Sequence, residues 1–128
     1  MGTQIPKRSP KIVVVDDERL VADTLATILQ RSGFQATAVY SGEEALASCN
    51  ECAPDLLISD VLMPGLNGVE TAMRVRKTLP SCKILLFSGQ AQVANLLLEA
   101  ENAGYSFELL SKPIHPRELL AKIETLLP

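Results

Sequence analysis

The chain contains three short apolar runs in which polar and apolar residues do not alternate. They occupy residues 12–15, 56–58 and 84–87. A strand with one face in water shows alternation, whereas a strand covered on both faces does not. These runs therefore predict buried strands of a parallel sheet. Residues 35–40 and 107–110 are two weaker strand candidates.

Between these runs, apolar residues recur at the spacing of amphipathic helices. The first helix is predicted over residues 20–29, with Gly33 as its stop. Ser41 and Glu44 form a capping-box pattern before the second helix. The other three helices are predicted over residues 69–76, 91–103 and 116–127, the last with Pro116 in its first turn.

A strand followed by a helix thus occurs five times. Right-handed crossovers between parallel strands place the helices on both faces of the sheet. We therefore predict an α/β fold of the flavodoxin-like (βα)5 type, a doubly wound five-stranded parallel sheet with strand order 2-1-3-4-5. Ligands of such sheets bind at the carboxyl ends of the strands, beside the switch between strands 1 and 3.

The composition favours one folded unit, with 47% hydrophobic and 21% charged residues among 128. We expect residues 1–10 to form a flexible tail and residues 11–128 to form one domain.

The net charge of -3 without a basic stripe argues against direct nucleic-acid binding. No apolar run reaches the roughly 20 residues that span a bilayer, and no secretory signal is recognisable, so we expect no membrane contact and a cytoplasmic location.

Polar residues follow four of the predicted strands at the edge where a ligand site is expected. They are Asp16, Asp17 and Glu18, then Asp60, then Ser88 and Gly89, and finally Ser111, Lys112 and Pro113. Clustered carboxylates repel one another, and a bound divalent cation relieves the repulsion. Oxygen ligands suit Mg²⁺, and a cation site beside a lysine suits a phosphoryl group, which a carboxylate can accept as an aspartyl phosphate.

Four segments of the chain, residues 13–18, 59–68, 86–89 and 111–113, resemble the receiver domains of two-component response regulators. The resemblance implies that Asp60 accepts a phosphoryl group from a phosphohistidine of a sensor histidine kinase or a histidine phosphotransfer protein. It also implies a Mg²⁺ cofactor, held by Asp16, Asp17, Asp60 and the main-chain carbonyl of Leu62.

The same resemblance implies that Lys112 pairs with the phosphoryl oxygens and that the Ser88 hydroxyl moves toward them on activation. It further implies a cis peptide bond between Lys112 and Pro113. Such a domain is a switch and not a conventional enzyme, although it assists its own phosphorylation and dephosphorylation. Its affinity for a downstream protein or output domain would change at the face of the fourth helix, fifth strand and fifth helix, which is also a candidate homodimer surface.

Two sequence features lie in the elements that form this face: the residue at position 109 and a run of three leucines. Leu109 stands three positions before Lys112, where many members of the family have an aromatic residue. We therefore expect output to depend on the loop after the fourth strand and the helix that follows. Leu96, Leu97 and Leu98 are consecutive, so one of them should point outward from a helix. A broad core contact and a partner surface are the two interpretations.

Several residues have plainer interpretations. Asn67 is predicted to cap the third helix, and Gly68 to permit a tight turn before it. Cys49 and Cys52 form a CxxC, which we interpret as packing residues. Four zinc ligands are hard to assemble from a chain with one His and a distant Cys82, and a redox CxxC usually stands at the start of a helix and not late in it. His115 is predicted to lie at the surface, at a helix start.

Three other kinds of protein share parts of this pattern. A haloacid-dehalogenase-like phosphohydrolase would carry a second Asp at position 62, which is Leu62 here. A nucleotide-binding flavodoxin-like protein would have a Gly-rich loop after the first strand, which is missing. A pseudo-receiver that acts only as a phosphorylation-independent binding module is the third. Whether the chain is a stand-alone regulator or part of a larger protein stays open.

Overall fold

The computed structural model describes residues 9–89 and 93–127, over which five strands alternate with five helices. The strands are β1 (Lys11–Val15), β2 (Gln35–Val39), β3 (Leu56–Asp60), β4 (Lys83–Ser88) and β5 (Glu108–Ser111). The helices are α1 (Arg19–Arg31), α2 (Gly42–Glu51), α3 (Gly68–Thr78), α4 (Val93–Asn102) and α5 (Pro116–Leu126). This alternation confirms the order of elements predicted from the hydrophobic pattern.

The strands form one parallel sheet in the order β2-β1-β3-β4-β5, as the fold prediction required. Along β1, Val13 and Val15 belong to one hydrophobic cluster, while Ile12 and Val14 belong to another. Helices α2, α3 and α4 complete the first cluster, and α1 and α5 complete the second. The central strands are therefore buried on both faces, which explains their unbroken apolar sequences.

The sheet edges are less buried than its centre. Glu108 and Leu109 of β5 are exposed, whereas every residue of β3 is buried. β5 begins one residue later than the predicted strand and ends at Ser111. The predicted start of the fourth helix, residues 91 and 92, lies outside the described residues, as does most of the predicted tail, residues 1–8. Pro10, at the end of that tail, accepts a backbone hydrogen bond from Gln35.

Two helix starts show how local sequence fixes the backbone. The Asn67 side chain accepts a hydrogen bond from the Glu70 N–H, and the Glu70 carboxylate accepts one from the Asn67 N–H. The predicted cap of α3 is thus a complete capping box. At α2 the Ser41 hydroxyl accepts from the Glu44 N–H, but the Glu44 carboxylate accepts from the Tyr40 N–H, one residue before the cap. Helix α2 therefore begins where the capping-box pattern predicts, but the second hydrogen bond of the box comes from Tyr40 and not from Ser41.

The three consecutive leucines of α4 divide as helical geometry requires. Leu96 and Leu97 pack against the first hydrophobic cluster, and Leu98 is 54% exposed. One of the three therefore points outward, as predicted. Among the helices of the described part of the chain, none combines the length and the apolar character that a membrane crossing requires.

Candidate functional site

Three carboxylates converge at the carboxyl ends of β1 and β3. Asp16 and Asp17 directly follow β1, and Asp60 is the last residue of β3. One oxygen atom from each of the three carboxylates lies within 4.8 Å of the others. Because β1 and β3 are paired and parallel, their ends meet at the same edge of the sheet. The predicted convergence of these three side chains is observed.

Asp16 is held in place by hydrogen bonds that leave one of its oxygens without a partner. Its backbone N–H donates to the Val39 carbonyl at 3.2 Å, and its Oδ1 accepts from the Glu18 N–H at 2.9 Å. Its Oδ2 is buried and has no hydrogen-bond partner among the described residues. A buried carboxylate oxygen in this condition is costly unless a cation or a water completes its shell.

Lys112 supplies the positive charge at this edge. Its Nζ lies 3.2 Å from Asp60 Oδ2, and its backbone N–H donates to the Ser88 carbonyl at 2.9 Å. Its Nζ also lies 5.4 Å from the centre of the Phe87 ring, within the range of a cation–π contact. Phe87 stands directly opposite Asp60 in the register of β3 and β4. The structure thus brings Lys112 to Asp60, as predicted, and adds Phe87, which sequence reasoning missed.

Burial controls the protonation of the two inner carboxyls. Removal from water raises the pKa of Asp16 from its ordinary value of 3.8 to about 6, and the neighbouring Asp60 and Asp17 charges add to this rise. Removal from water also raises the pKa of Asp60, while the hydrogen bond and the charge of Lys112 act in the opposite direction. One ammonium does not offset the burial of these carboxylates, so the site favours a further cation.

The donor set fits a hard divalent cation. The Asp16, Asp17 and Asp60 oxygens could hold such an ion, and the orphaned Asp16 Oδ2 is an atom that such an ion would satisfy. Oxygen-only ligands are typical of Mg²⁺ and Ca²⁺ sites and not of zinc sites. The residues present therefore suit the predicted type of metal.

Ser88 and Leu62 are the other two residues predicted to belong to the site. Ser88 ends β4 one residue after Phe87, and it is buried. Leu62 follows the buried Val61 in the loop after β3, and its side chain is 39% exposed. The predicted roles of the Ser88 hydroxyl and the Leu62 carbonyl stay predictions.

Gly68 is needed for a different reason from the predicted one. It is the first residue of α3, and it is not among the residues with positive φ. A Cβ atom at this position would overlap the carbonyl oxygen of Asp60. The glycine therefore permits the start of α3 to approach the backbone of β3 closely, and the tight-turn interpretation is corrected on this point.

The predictions for the Lys112–Pro113 bond, for His115 and for the CxxC have different outcomes. The Lys112–Pro113 peptide bond is cis, as predicted. His115 is exposed at the start of α5, also as predicted. Cys49 is buried and packs in the first hydrophobic cluster, but Cys52 is exposed, so the packing interpretation of the CxxC holds for Cys49 alone.

The sheet order and the acidic edge agree with a comparison of the sequence with known families. The model of the response regulator receiver domain matches residues 12–124. The chain belongs to this family. A receiver domain is a signalling module of two-component systems and not a conventional enzyme.

Relatives of this receiver domain are longer proteins. The regulatory protein VanRc of Enterococcus gallinarum is 33% identical over 121 residues, which are 91% of this chain and 49% of that protein. The alkaline phosphatase synthesis transcriptional regulatory protein PhoP of Bacillus subtilis is 32% identical over 117 residues, 91% of this chain and 48% of that protein. The chain therefore spans about half the length of the curated relatives it matches.

Solved structures of similar receiver domains share the fold over nearly their whole length. The chemotaxis response regulator CheY4 of Vibrio cholerae has a TM-score of 0.82 and 28% identity, with 94% of this chain and 100% of that chain covered. A CheY-like receiver domain protein from Methanospirillum hungatei has a TM-score of 0.84 and 28% identity, with 93% and 94% covered. These similarities support the (βα)5 architecture independently of the acidic site.

Proposed function

We propose that this receiver domain is a phosphorylation-dependent switch of a two-component phosphorelay, with Asp60 as the phosphoryl acceptor. The observation that carries the proposal is the convergence at Asp60 of a lysine ammonium 3.2 Å away and two further carboxylates. A nucleophilic carboxylate that is flanked by a cation and by cation ligands is suited to phosphoryl transfer.

In the proposed reaction, a carboxylate oxygen of Asp60 attacks the phosphorus atom of a phosphohistidine. The new O–P bond forms as the P–N bond breaks, and the imidazole of the donor leaves. Lys112 pairs with the transferred phosphoryl oxygens, and the Ser88 hydroxyl donates a hydrogen bond to them. Water later attacks the phosphorus in line, the O–P bond to Asp60 breaks, and inorganic phosphate leaves.

The proposed cofactor is Mg²⁺, which would be held by Asp16, Asp17, Asp60 and the main-chain carbonyl of Leu62. When bound, it supplies positive charge that offsets the charge on the phosphoryl oxygens. The orphaned Oδ2 of Asp16 and the raised pKa of that carboxyl support a cation at this place. Asp16 and Asp17 would also keep the cation beside the acceptor while the donor is bound.

The proposed donor is a sensor histidine kinase or a histidine phosphotransfer protein in the cytoplasm, and the proposed recipient of the signal is a downstream protein or an output domain. One relative is named a DNA-binding response regulator, MtrA of Mycobacterium tuberculosis, and the chain spans 48% of it. We do not assign nucleic-acid binding to this domain itself, because its net charge is -3.

The proposed responding surface is the face of α4, β5 and α5. Leu98 of α4 and Leu109 of β5 are large apolar side chains of two of these elements, and they are 54% and 40% exposed. Exposed leucines on these elements support contact with a partner or with a second copy of the chain. Phosphorylation would change the affinity of this face through movement of the ends of β4 and β5.

Incubation with acetyl phosphate and Mg²⁺, followed by intact mass measurement, tests the acceptor. We expect a gain of one phosphoryl group, which is lost in Asp60→Asn and in the presence of a chelator. Asp55→Asn is the matched control, because Asp55 is exposed and directly precedes β3 at its opposite end. Absence of any gain in the wild-type chain would favour the binding-module alternative, and a gain that persists in Asp60→Asn would place the acceptor elsewhere.

Sedimentation of the chain with and without acetyl phosphate and Mg²⁺ tests the responding surface. We expect phosphorylation to promote self-association or binding of an added partner, and Leu98→Ser to weaken it. Leu20→Ser is the control, because Leu20 is 80% exposed but belongs to α1. Equal losses in both variants would contradict a specific role for the α4-β5-α5 face.

A further inference from the structure

Lys11 and Cys52 form a close pair at the end of the sheet opposite the acidic site. The Lys11 Nζ lies 2.7 Å from the Cys52 Sγ. Lys11 is the first residue of β1, and Cys52 directly follows α2. Hydrogen bonds from N–H to oxygen usually measure about 2.7–3.2 Å, and sulfur is the larger atom, so this contact is unusually short.

The main chain holds the lysine of this pair in position. The Lys11 N–H donates to the Asp55 carboxylate at 2.8 Å, and the Lys11 carbonyl accepts from the Asp55 N–H at 2.8 Å. A cavity of about 210 Å³ lies beside the pair and is lined in part by Thr37, Ser48 and Cys52. The cavity is large enough to admit a small polar oxidant, and Cys52 is exposed to solvent.

We propose that hydrogen peroxide joins Lys11 and Cys52 through a single oxygen atom, as a covalent Nζ–O–Sγ crosslink. One oxygen atom that is singly bonded to both nitrogen and sulfur spans a separation as short as the one observed. The pair is thus already placed for the crosslink without movement of the backbone. This modification site is separate from the proposed phosphorylation of Asp60.

The reaction consumes two molecules of peroxide for each crosslink. In the first step the sulfur attacks one peroxide oxygen, the O–O bond breaks, and water leaves with the thiol proton, so that a sulfenic acid forms. In the second step the sulfenic O–H and one amine N–H are each lost, and the N–O bond forms. The second peroxide takes up these two hydrogens and becomes two waters, so three waters form in total.

The other two cysteines do not offer this chemistry. Cys49 and Cys82 are buried, and their burial raises the pKa of both thiols, that of Cys82 to about 12. A thiolate is the reactive form of cysteine, so peroxide should act on these two residues slowly. Selectivity for Cys52 therefore follows from exposure together with the adjacent amine.

Peroxide treatment followed by intact mass and peptide mass measurement tests the proposal. We expect a gain of about 14 Da, from one oxygen added and two hydrogens lost, and a peptide that joins Lys11 to Cys52. A thiol reductant should reverse both. Lys11→Arg keeps the positive charge and the main-chain bonds but removes the primary amine, and Cys52→Ser removes the thiol. Both variants should lose the crosslink, whereas Cys82→Ser should retain it.

Three results would overturn the proposal. They are a gain of only about 16 or 32 Da at Cys52 with an unmodified Lys11, a disulfide between two chains, and a crosslink that survives in Lys11→Arg. Circular dichroism of each variant shows whether it folds. Acetyl phosphate labelling should proceed at the same rate in the crosslinked chain, because β1 places about 17 Å between Lys11 and the acidic site.

Discussion

Substitution of Asp16 by asparagine should stabilise the metal-free protein at neutral pH. Asp16 is 1% exposed, and its Oδ2 is buried without a partner among the described residues. Asparagine has nearly the same shape, and its side-chain oxygen can accept the same hydrogen bond from the Glu18 N–H. The substitution therefore removes the buried negative charge while it leaves the packing nearly unchanged.

The raised pKa gives the size and the sign of the effect. The pKa of Asp16 is about 6 in the folded state and 3.8 in the unfolded state. At 1.36 kcal/mol per pKa unit, the ionised carboxylate therefore lowers the free energy of unfolding by about 3 kcal/mol at pH 7. The folded state holds the proton more tightly, so its stability falls as the pH rises from about 4 to about 6. The advantage of Asp16→Asn should be small at pH 4, grow through this window, and stay constant above about pH 7.

Urea denaturation of both proteins in EDTA, at pH 4, 5, 6 and 7, measures this difference. Asp17→Asn is the comparison variant, because Asp17 is exposed to water and its removal should change the free energy of unfolding much less. Addition of Mg²⁺ should stabilise the wild-type protein more than Asp16→Asn, since binding to the folded state adds to its stability. A wild-type protein as stable as Asp16→Asn at pH 7 in EDTA would refute the argument from burial, as would a difference that does not depend on pH.

Three further substitutions test the loop and the charge around Asp60. Asn67→Ala should lower the free energy of unfolding by about 1–2 kcal/mol, since it removes the cap of α3, and Asn67→Ser should restore most of it in the same urea assay. Gly68→Ala should destabilise by about 1–3 kcal/mol although alanine favours helices, because its Cβ would overlap the Asp60 carbonyl; a gain in stability would be inconsistent with this contact. Lys112→Met should raise the pKa of Asp60 in a carbon-13 carboxyl titration, because the ammonium lowers it; an unchanged midpoint would argue against the 3.2 Å ion pair.

The fold could be predicted because burial on both faces leaves a direct trace in the sequence. The runs at residues 12–15, 56–58 and 84–87 all lie in central strands of the sheet, within two residues of the observed bounds. The strand ends then identified the site, since paired parallel strands bring Asp16 and Asp60 to one edge. The edge strand β5 was placed one residue off, because exposed positions such as Glu108 impose no hydrophobic pattern.

Other features depend on distances between segments that no local pattern contains. The Lys112 ammonium lies near the Phe87 ring because β4 is paired with both β3 and β5, and an apolar residue in an apolar run gives no sign of that contact. The close approach of Gly68 to the Asp60 carbonyl depends on where α3 docks against β3. The contact between Lys11 and Cys52 joins residues 41 positions apart, so it cannot be found from a local pattern. The CxxC spacing relates Cys52 to Cys49, whereas the side chain that Cys52 contacts is that of Lys11.

If Asp60 is the acceptor, the packing of the sheet determines which side of the molecule responds. The ammonium of Lys112 contacts Asp60, and its N–H is bonded to the Ser88 carbonyl, so a shift of Lys112 toward a phosphoryl group acts on the ends of β4 and β5 together. β3 lies between β1 and β4, is buried throughout, and cannot move without disturbing both hydrophobic clusters. β5 has a neighbour on one side only, and three of its four residues are exposed. Its displacement costs fewer contacts, and the change should therefore be transmitted toward β5 and the exposed Leu98 and not toward β1.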